Sequence, residues 1–506
     1  MSEEPAMNGM REDTNGSGGR YDLIVIGAGQ GGGPLAGAFA RSGRRVALVE
    51  RVHVGGTCVN EGCSPTKTVI ASARVAHVAR RAGEYGGAPA DAADAADEHA
   101  PAPRGWRVDL RRVYERKQHI VDSFRSSSER ALAVAGVELI RGHARFVDER
   151  TIEVIGGAER GDATDTRTLT AERVVINTGL RPAVPRLEGL EAVPYLTSTS
   201  ILELTERPEH LVVLGGGYVG LEFAQAFRRF GSRVTVVQRG VQLLPREDSD
   251  VADAVADILR EEGIDVLLSA EAVRVERDSH GSDGVRLLWR SREAGTEQAV
   301  DGSHLLVATG RMPNTDDLRL DRAGIATDAR GYVQVNERLE TSAPGVYAIG
   351  DVKGGPAFTH ISYDDFRILR TNLLEGGAAT TAGRVVPYTV FIDPQLGAVG
   401  LTEREARAAG LHVRVAKLPM TSVARALEVD ETRGFMKAVV DAETRQILGA
   451  TVLGLEGGEI ATLFQIAMMG KLPYTALRDG VFSHPTLAEA LNNLFTSMDR
   501  ESGDAR

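Results

Sequence analysis

The sequence predicts an α/β chain with two βαβ nucleotide-binding units and a C-terminal α+β domain. Three observations predict it. Two glycine-rich turns each join a short apolar run to a helix of small residues, "YDLIVIGAGQGGGPLAGAFARSG" and "HLVVLGGGYVGLEFAQAFRRFGS". After about residue 387 the texture changes to strand-like runs, "RGFMKAVVD" and "QILGATVLG", with the helical "EIATLFQIAMMG" behind them. A chain of 506 residues also exceeds what one core can bury, which allows about three domains.

Composition narrows the class. Hydrophobic content of 42% and charged content of 25% are ordinary for a globular protein. A net charge of −11 argues against nucleic-acid and anionic membrane partners. There is no apolar run of about 18 residues, so no membrane span is expected. Residues 1–20 are polar and mixed in charge, which reads as a disordered tail without signal-peptide features. The cytoplasm is the expected compartment.

The first unit runs from the apolar "YDLIVI" through Gly27, Gly29 and Gly32 to the strand "RVALVE", which ends at Glu50. Glu50 stands 23 residues after Gly27. The glycines let backbone approach a pyrophosphate at a helix N-terminus, and the acid suits a ribose hydroxyl. The alternative is a tight turn with no ligand. The second unit repeats the frame with Gly215, Gly217 and Gly220, and Gln238 stands 23 residues after Gly215. Two such units imply two nucleotides or a duplicated domain. A neutral Gln238 followed by Arg239 leaves room for a 2′-phosphate and offers it a cation, which leans toward NADPH. The alternative is a solvated Arg239 and NADH.

Between the units, "APADAADAADEHAPAP" at 88–103 reads as a low-complexity surface insert. The helical "VDLRRVYERKQHIVDSFRSSSERALAVAG" follows it.

The stretch "GGTCVNEGCSPTK" holds the only two cysteines, Cys58 and Cys63, five residues apart. In a reducing compartment a structural disulfide is uncommon, and so short a loop gains only about 2 kcal/mol from closure. A metal site needs more than two ligands. A redox pair is one reading; from spacing alone the other two stay open beside it.

Here the sequence resembles the flavin-dependent pyridine nucleotide–disulfide oxidoreductases, which include dihydrolipoamide dehydrogenase, glutathione reductase and mercuric reductase. The motifs come in that family's order: "GGTCVNEGCSPTK", "VVINTGLRPAVP", "LLVATGRMPNT", "GVYAIGDV" and "FSHPTLAEAL". The resemblance covers Tyr21 to Phe495. It implies a tail at 1–20, an FAD-binding domain at 21–190 and 306–385, and an NAD(P)-binding domain at 191–305. An interface domain at 386–497 and a tail at 498–506 complete the chain.

The resemblance also implies roles. Cys63 lies against the flavin as the charge-transfer thiolate, and Cys58 is the interchange thiol. His484 is the acid–base, with Glu489 fixing its tautomer, and it serves the other subunit of a homodimer. Lys67 sits near the reactive edge of the flavin with Glu222 as its ion-pair partner, and Tyr218 covers the flavin until nicotinamide binds. Asp351 faces the ribitol. Gly56, Thr57, Ala144, Thr178, Gly179, Gly310 and Arg311 are further cofactor positions. The implied cycle moves hydride from NAD(P)H to FAD, opens Cys58–Cys63 and reduces a small disulfide.

Departures leave the acceptor open. The C-terminal "NNLFTSMDRESGDAR" has no cysteine pair of the kind mercuric reductases and large thioredoxin reductases use. Metal-ion reduction at Cys58–Cys63 alone, dihydrolipoamide dehydrogenase activity and a quinone or dye diaphorase remain as alternatives. A redox-sensing binding module is disfavoured, because binding alone needs none of the cysteines, His484 or Glu489. Glu61, between the cysteines, is expected to disfavour nearby thiolates. Arg367 falls at a glutathione-binding position, but Tyr363, Asp364 and Asp365 predict an acidic surface there, and His360 fits the dehydrogenase pattern.

Overall fold

Apolar residues without alternation predict strands covered on both faces, and the first sheet has that character. Leu23, Ile24 and Val25 are fully buried, as are Ala47 and Leu48 on the next strand. In the computed structural model, residues 20–87, 107–156, 166–277, 284–292 and 295–501 are described. The expected insert at 88–103, and the tail at 1–20 apart from Arg20, lie outside the described residues.

The strands Arg20–Ile26, Val46–Glu50, Glu138–Phe146, Thr166–Ile176 and Val346–Ala348 run parallel, with Thr166–Ile176 between Arg20–Ile26 and Val346–Ala348. The long strands Glu138–Phe146 and Thr166–Ile176 also pair antiparallel through Thr151–Gly156. The helix Gly32–Arg41 packs its small residues on this sheet. In the register, Ile26 stands beside Val49 and Ile176, and Ile176 beside Ala348. Their carboxyl ends are therefore level, and the glycine turn, Glu50, Asn177 and Asp351 gather at one edge.

The second unit is a four-stranded parallel sheet in the order His304–Val307, His210–Leu214, Arg233–Val237, Asp265–Leu267. The strand His304–Val307 straddles the expected boundary at 305. A three-stranded antiparallel sheet, Ala270–Arg277, Val285–Ser291 and Glu297–Gly302, lies beside it. Leu180–Pro182 and Arg311–Pro313 pair where the chain passes between the two units.

The C-terminal domain is a five-stranded antiparallel sheet, ordered Pro387–Val390, Gln395–Gly400, Ile447–Gly454, Phe435–Asp441, Val413–Pro419. The helix Gly457–Met469 packs on it, and the final helix Ala490–Glu501 extends past the expected limit at 497. No described helix is long and apolar enough to cross a membrane.

One buried ion network ties the second unit to this domain. Arg229 contacts Glu262 at 2.6 Å and also pairs with Asp393, while Arg433 reaches Glu262 at 3.1 Å. Arg229→Met would leave Asp393 without its charged partner and Glu262 with Arg433 alone. It should lower stability by about 3 kcal/mol in urea denaturation.

Candidate active site

The site begins at the level edge of the first sheet. Gly27 has φ of 100°, and a Cβ there would lie 2.4 Å from the Asn177 carbonyl oxygen. A Cβ on Gly32 would lie 2.4 Å from the Gly27 carbonyl oxygen, so the helix can approach the strand only at glycine. Asn177 Nδ2 holds the turn by donating to Gly27 O at 3.0 Å. Glu50 accepts from Ala28 N and Val52 N, both at 2.8 Å, which fixes its carboxylate at the rim with lone pairs to spare.

The two cysteines sit where Gly56–Asn60 turns into the helix Cys63–Arg80. Pro65 is tolerated because it stands in the first turn. Both cysteines carry free thiols, and they hydrogen-bond to one another. That bond from Cys58 is the main reason the Cys63 thiol falls from the ordinary 9.0 to about 6. Burial opposes the shift, and Thr359 and Lys67 reinforce it. Thr359 Oγ1 lies 3.4 Å from Cys63 Sγ. A helix N-terminus favours a thiolate for the same electrostatic reason. Cys58 moves upward, through the bond to Cys63 and through burial. The pair is thus asymmetric: Cys63 is the thiolate and Cys58 holds the proton.

This asymmetry has a direct readout. In the reduced protein, alkylation of Cys63 by iodoacetamide should follow a midpoint near pH 6, with thiolate above it. Cys58 should stay unmodified across that range. A Cys63 midpoint near the ordinary value would contradict the assignment.

Lys67, one turn along the same helix, places Nζ 3.0 and 2.8 Å from the two carboxylate oxygens of Glu222. Glu222 is buried and also accepts from Phe391 N at 2.8 Å, and Lys67 lies 4.6 Å from the Phe391 ring centre. Asp351, from the turn after Val346–Ala348, has its pKa raised by burial and lies 3.4 Å from Arg311. Thr178 Oγ1 donates to Asn314 O at 2.8 Å, which pins the loop carrying Gly179.

The first-turn residues Gly27, Gly29, Glu50, Gly56 and Thr57 share one cavity of about 700 Å³ with Cys58, Cys63, Lys67 and Glu222. Ala144, Thr178, Gly179, Arg311, Asp351 and Tyr218 border it as well. Its size suits a large cofactor, and charged and polar groups such as Glu50, Lys67, Arg311 and Asp351 line it. Tyr218 opens the helix Tyr218–Phe230 and is 42% exposed over this cavity.

The second glycine turn copies the first without opening onto that cavity. A Cβ on Gly215 would lie 2.5 Å from Ala308 O and one on Gly220 would lie 2.4 Å from Gly215 O, whereas Gly217 and Gly310 face open space. Gln238 Oε1 accepts from Gly216 N at 3.1 Å, the bond that Glu50 makes with Ala28 N in the first turn. Gln238 therefore keeps the structural role of the acid and drops its charge. Arg239 is exposed beside it.

His484 stands apart from these residues. It is 70% exposed, and its Nδ1 pairs with Glu489 at 2.8 Å. It does not border the cavity that holds its own chain's cysteines.

Two sequence readings change. Glu61 borders the cavity but accepts from Thr199 Oγ1 at 3.3 Å. The carboxylate that raises Cys63 is that of Glu222. The acidic surface around Arg367 is not free. Asp365 is fully buried against Lys353 and Arg384, and Asp364 pairs with Arg384 at 2.8 Å. Arg367 itself packs 5.0 Å from the Tyr363 ring, and His360 accepts or donates at Pro387 O, 2.8 Å away.

Reasoning from sequence misses Thr359, Asn177 and Phe391. Asn177 lies inside the motif "VVINTGLRPAVP", so a signal for it was present. Thr359 and Phe391 are brought in from 296 residues beyond Cys63 and 169 residues beyond Glu222, and no local pattern marks them.

A glycine-edged dinucleotide cavity with a polarised thiol pair on its wall, and a second dinucleotide turn alongside, defines a flavin- and pyridine-nucleotide-dependent thiol oxidoreductase. Comparison with known proteins agrees. The family model described as pyridine nucleotide-disulphide oxidoreductase matches residues 21–365, and that of the family's dimerisation domain matches 386–495. The chain belongs to this family and is an FAD-dependent pyridine nucleotide–disulfide oxidoreductase.

The chain is 39% identical over 482 residues to the probable pyridine nucleotide-disulfide oxidoreductase RclA of Escherichia coli, covering 94% of this chain and 99% of that one. It is 34% identical to a mercuric reductase of Staphylococcus aureus, over 96% of this chain and 83% of the relative. A solved Cu(II) complex of the HOCl-induced flavoprotein disulfide reductase RclA from Escherichia coli superposes with a TM-score of 0.82 at 36% identity. It covers 94% of this chain and 99% of that one.

Proposed function

We propose that the chain, as a homodimer in the cytoplasm, passes electrons from NADPH through the Cys58–Cys63 pair to a small disulfide. The observation that carries this reading is the asymmetric thiol pair on the wall of the dinucleotide cavity, with Lys67 beside it. Gly27, Gly29 and Gly32 would receive the FAD pyrophosphate, and Glu50 its ribose. Gly56, Thr57, Ala144, Thr178, Gly179, Gly310, Arg311 and Asp351 would hold the remainder. When bound, FAD takes hydride from reduced pyridine nucleotide and delivers two electrons to the disulfide.

The chain's own residues do the rest. Cys63 is held as thiolate and Cys58 as thiol, so Cys58 needs a base before it can attack. His484 of the partner subunit is suited to it. Glu489 accepts from Nδ1–H, which leaves Nε2 to take the Cys58 proton. The Cys58 thiolate attacks the substrate disulfide, forming a mixed disulfide and expelling one thiolate, which the imidazolium protonates. The Cys63 thiolate then attacks Cys58 Sγ, re-forms Cys58–Cys63 and releases the second thiolate. The cytoplasm suits a chain whose two cysteines cycle, because its thiol pool keeps the products reduced.

Labelling tests the electron path. Alkylation of the oxidised protein should modify neither cysteine. After one equivalent of NADPH without acceptor, alkylation in denaturant should modify both Cys58 and Cys63. Labelling that does not change would refute the path.

The nucleotide preference rests on Gln238 and Arg239. Arg239→Ala should raise KM for NADPH about tenfold, the worth of one charge-assisted hydrogen bond, and leave NADH unchanged. A second acceptor, a metal ion, is suggested by the solved Cu(II) complex of the similar RclA chain. Steady-state turnover with small disulfides and with Cu(II) and Hg(II) salts separates the two.

A further inference from the structure

The disulfide chemistry makes no use of the buried acid Glu247. Glu247 is 3% exposed and accepts a hydrogen bond from the Tyr388 hydroxyl through Oε1, while Oε2 is buried without a hydrogen-bond partner. A buried oxygen left unpaired costs stability, and such costs gather where position matters. Burial raises Glu247, and burial together with Glu247 raises Tyr388, so the phenol stays protonated and remains a donor.

On one side this contact leads to the second glycine turn. Gly216 is gripped at both its backbone groups by the loop that carries Glu247: Gly216 N donates to Gln238 Oε1 at 3.1 Å, and Leu244 N donates to Gly216 O at 2.9 Å. Leu244 has φ of 45°, a left-handed conformation that a leucine adopts at a cost. Gln238 Nε2 donates to Gln242 O at 3.1 Å, and Gln242 Nε2 donates to Glu247 O at 3.2 Å. A continuous run of hydrogen bonds thus connects Gly216 to Glu247.

On the other side the contact leads to the flavin cavity. The Tyr388 ring borders that cavity and stacks on Phe358, with centroids 5.8 Å apart and planes at 2°. Its strand, Pro387–Val390, runs straight into Phe391, which holds Glu222 through its N–H and lies against Lys67. Tyr388 makes no hydrogen bond to either thiol.

We infer that Tyr388 and Glu247 are positioning residues for the reductive half-reaction, tying the pyridine-nucleotide turn at Gly216 to the strand that sets the Lys67–Glu222 pair. Hydride delivery depends steeply on placement, whereas thiol–disulfide exchange uses neither the Tyr388 hydroxyl nor the Glu247 carboxylate. The inference rests on the family activity described above.

Holoenzyme variants separate the half-reactions. Tyr388→Phe keeps the ring stack and loses the donor. Glu247→Gln keeps an acceptor oxygen, and Glu247→Leu removes it. Four quantities are read: stopped-flow flavin reduction by NADPH and by NADH, reoxidation of dithionite-reduced enzyme by 5,5′-dithiobis(2-nitrobenzoate), the long-wavelength thiolate band after dithionite, and Tm.

Tyr388→Phe and Glu247→Leu should slow nucleotide-driven reduction about tenfold while reoxidation changes by less than about twofold; the thiolate band shifts only slightly, through Lys67 and Glu222 beside Cys63. Glu247→Gln should restore reduction to within about twofold of wild type. Wild-type reduction in Tyr388→Phe overturns the inference. So do equal losses in both half-reactions with a lowered Tm, which would mark the contact as purely structural. Failure of NADPH and NADH to reduce the wild-type flavin would instead refute the electron-source reading, and this inference with it.

Discussion

Cys58→Ser is expected to fold, bind flavin and accept electrons from pyridine nucleotide, yet lose disulfide reduction by about 10³-fold or more. The hydroxyl that replaces the thiol cannot form a mixed disulfide. Cys63 remains a thiolate at the helix N-terminus, near Thr359 and Lys67, so its long-wavelength absorbance should persist without reductant. That band should be weaker at acid pH than in the wild-type dithiol, because the hydrogen bond from Cys58 is the largest influence lowering Cys63. Cys63→Ser should lose the same turnover and the band together. Steady-state rates with a small disulfide, set beside diaphorase rates with a dye acceptor, check both variants. Retained dye reduction and lost disulfide reduction support a thiol path. Retained disulfide reduction in either variant would end it.

The second large effect is expected at His484. His484→Ala removes the base that Cys58 requires, since the Cys58 thiol is pushed upward and does not ionise on its own near neutral pH. A loss of about 10²- to 10⁴-fold in disulfide turnover is the expected range for general acid–base catalysis. Glu489→Gln should cost less, about tenfold, because the amide oxygen still accepts from Nδ1–H while the carboxylate charge is gone. Subunit mixing supplies the sharper check. An inactive His484→Ala dimer mixed and reassembled with an inactive Cys58→Ser dimer should regain about a quarter to a half of wild-type activity if each site uses both chains. No recovery would mean that each chain completes its own site.

Much of the fold and of the site is legible in the residues themselves. "YDLIVIGAG" must be a buried strand ending in a turn, because its apolar residues do not alternate and its glycines admit positive φ and close backbone approach. The same logic locates the second turn, and the two cysteines stand out by being alone. What the sequence hides is what tertiary contact decides. Glu61 reads as a threat to the thiolates, yet it turns to Thr199. Asp365 reads as an exposed acid, yet it is the buried partner of Lys353 and Arg384. Thr359 meets Cys63 only because the helix Thr359–Leu374 begins against the first turn of the helix that Cys63 begins. Gln238 reads as an absent charge, yet its amide also keeps the backbone bond that the acid makes in the first unit.

The most direct test of the central claim is an anaerobic NADPH titration of the purified holoenzyme, followed at long wavelength. The expected result is a thiolate-to-flavin charge-transfer band that is complete after one equivalent, is absent in Cys63→Ser, and falls to half near pH 6 and is lost below it. Simple bleaching of the flavin with no such band would contradict it and would take the cysteines out of the electron path.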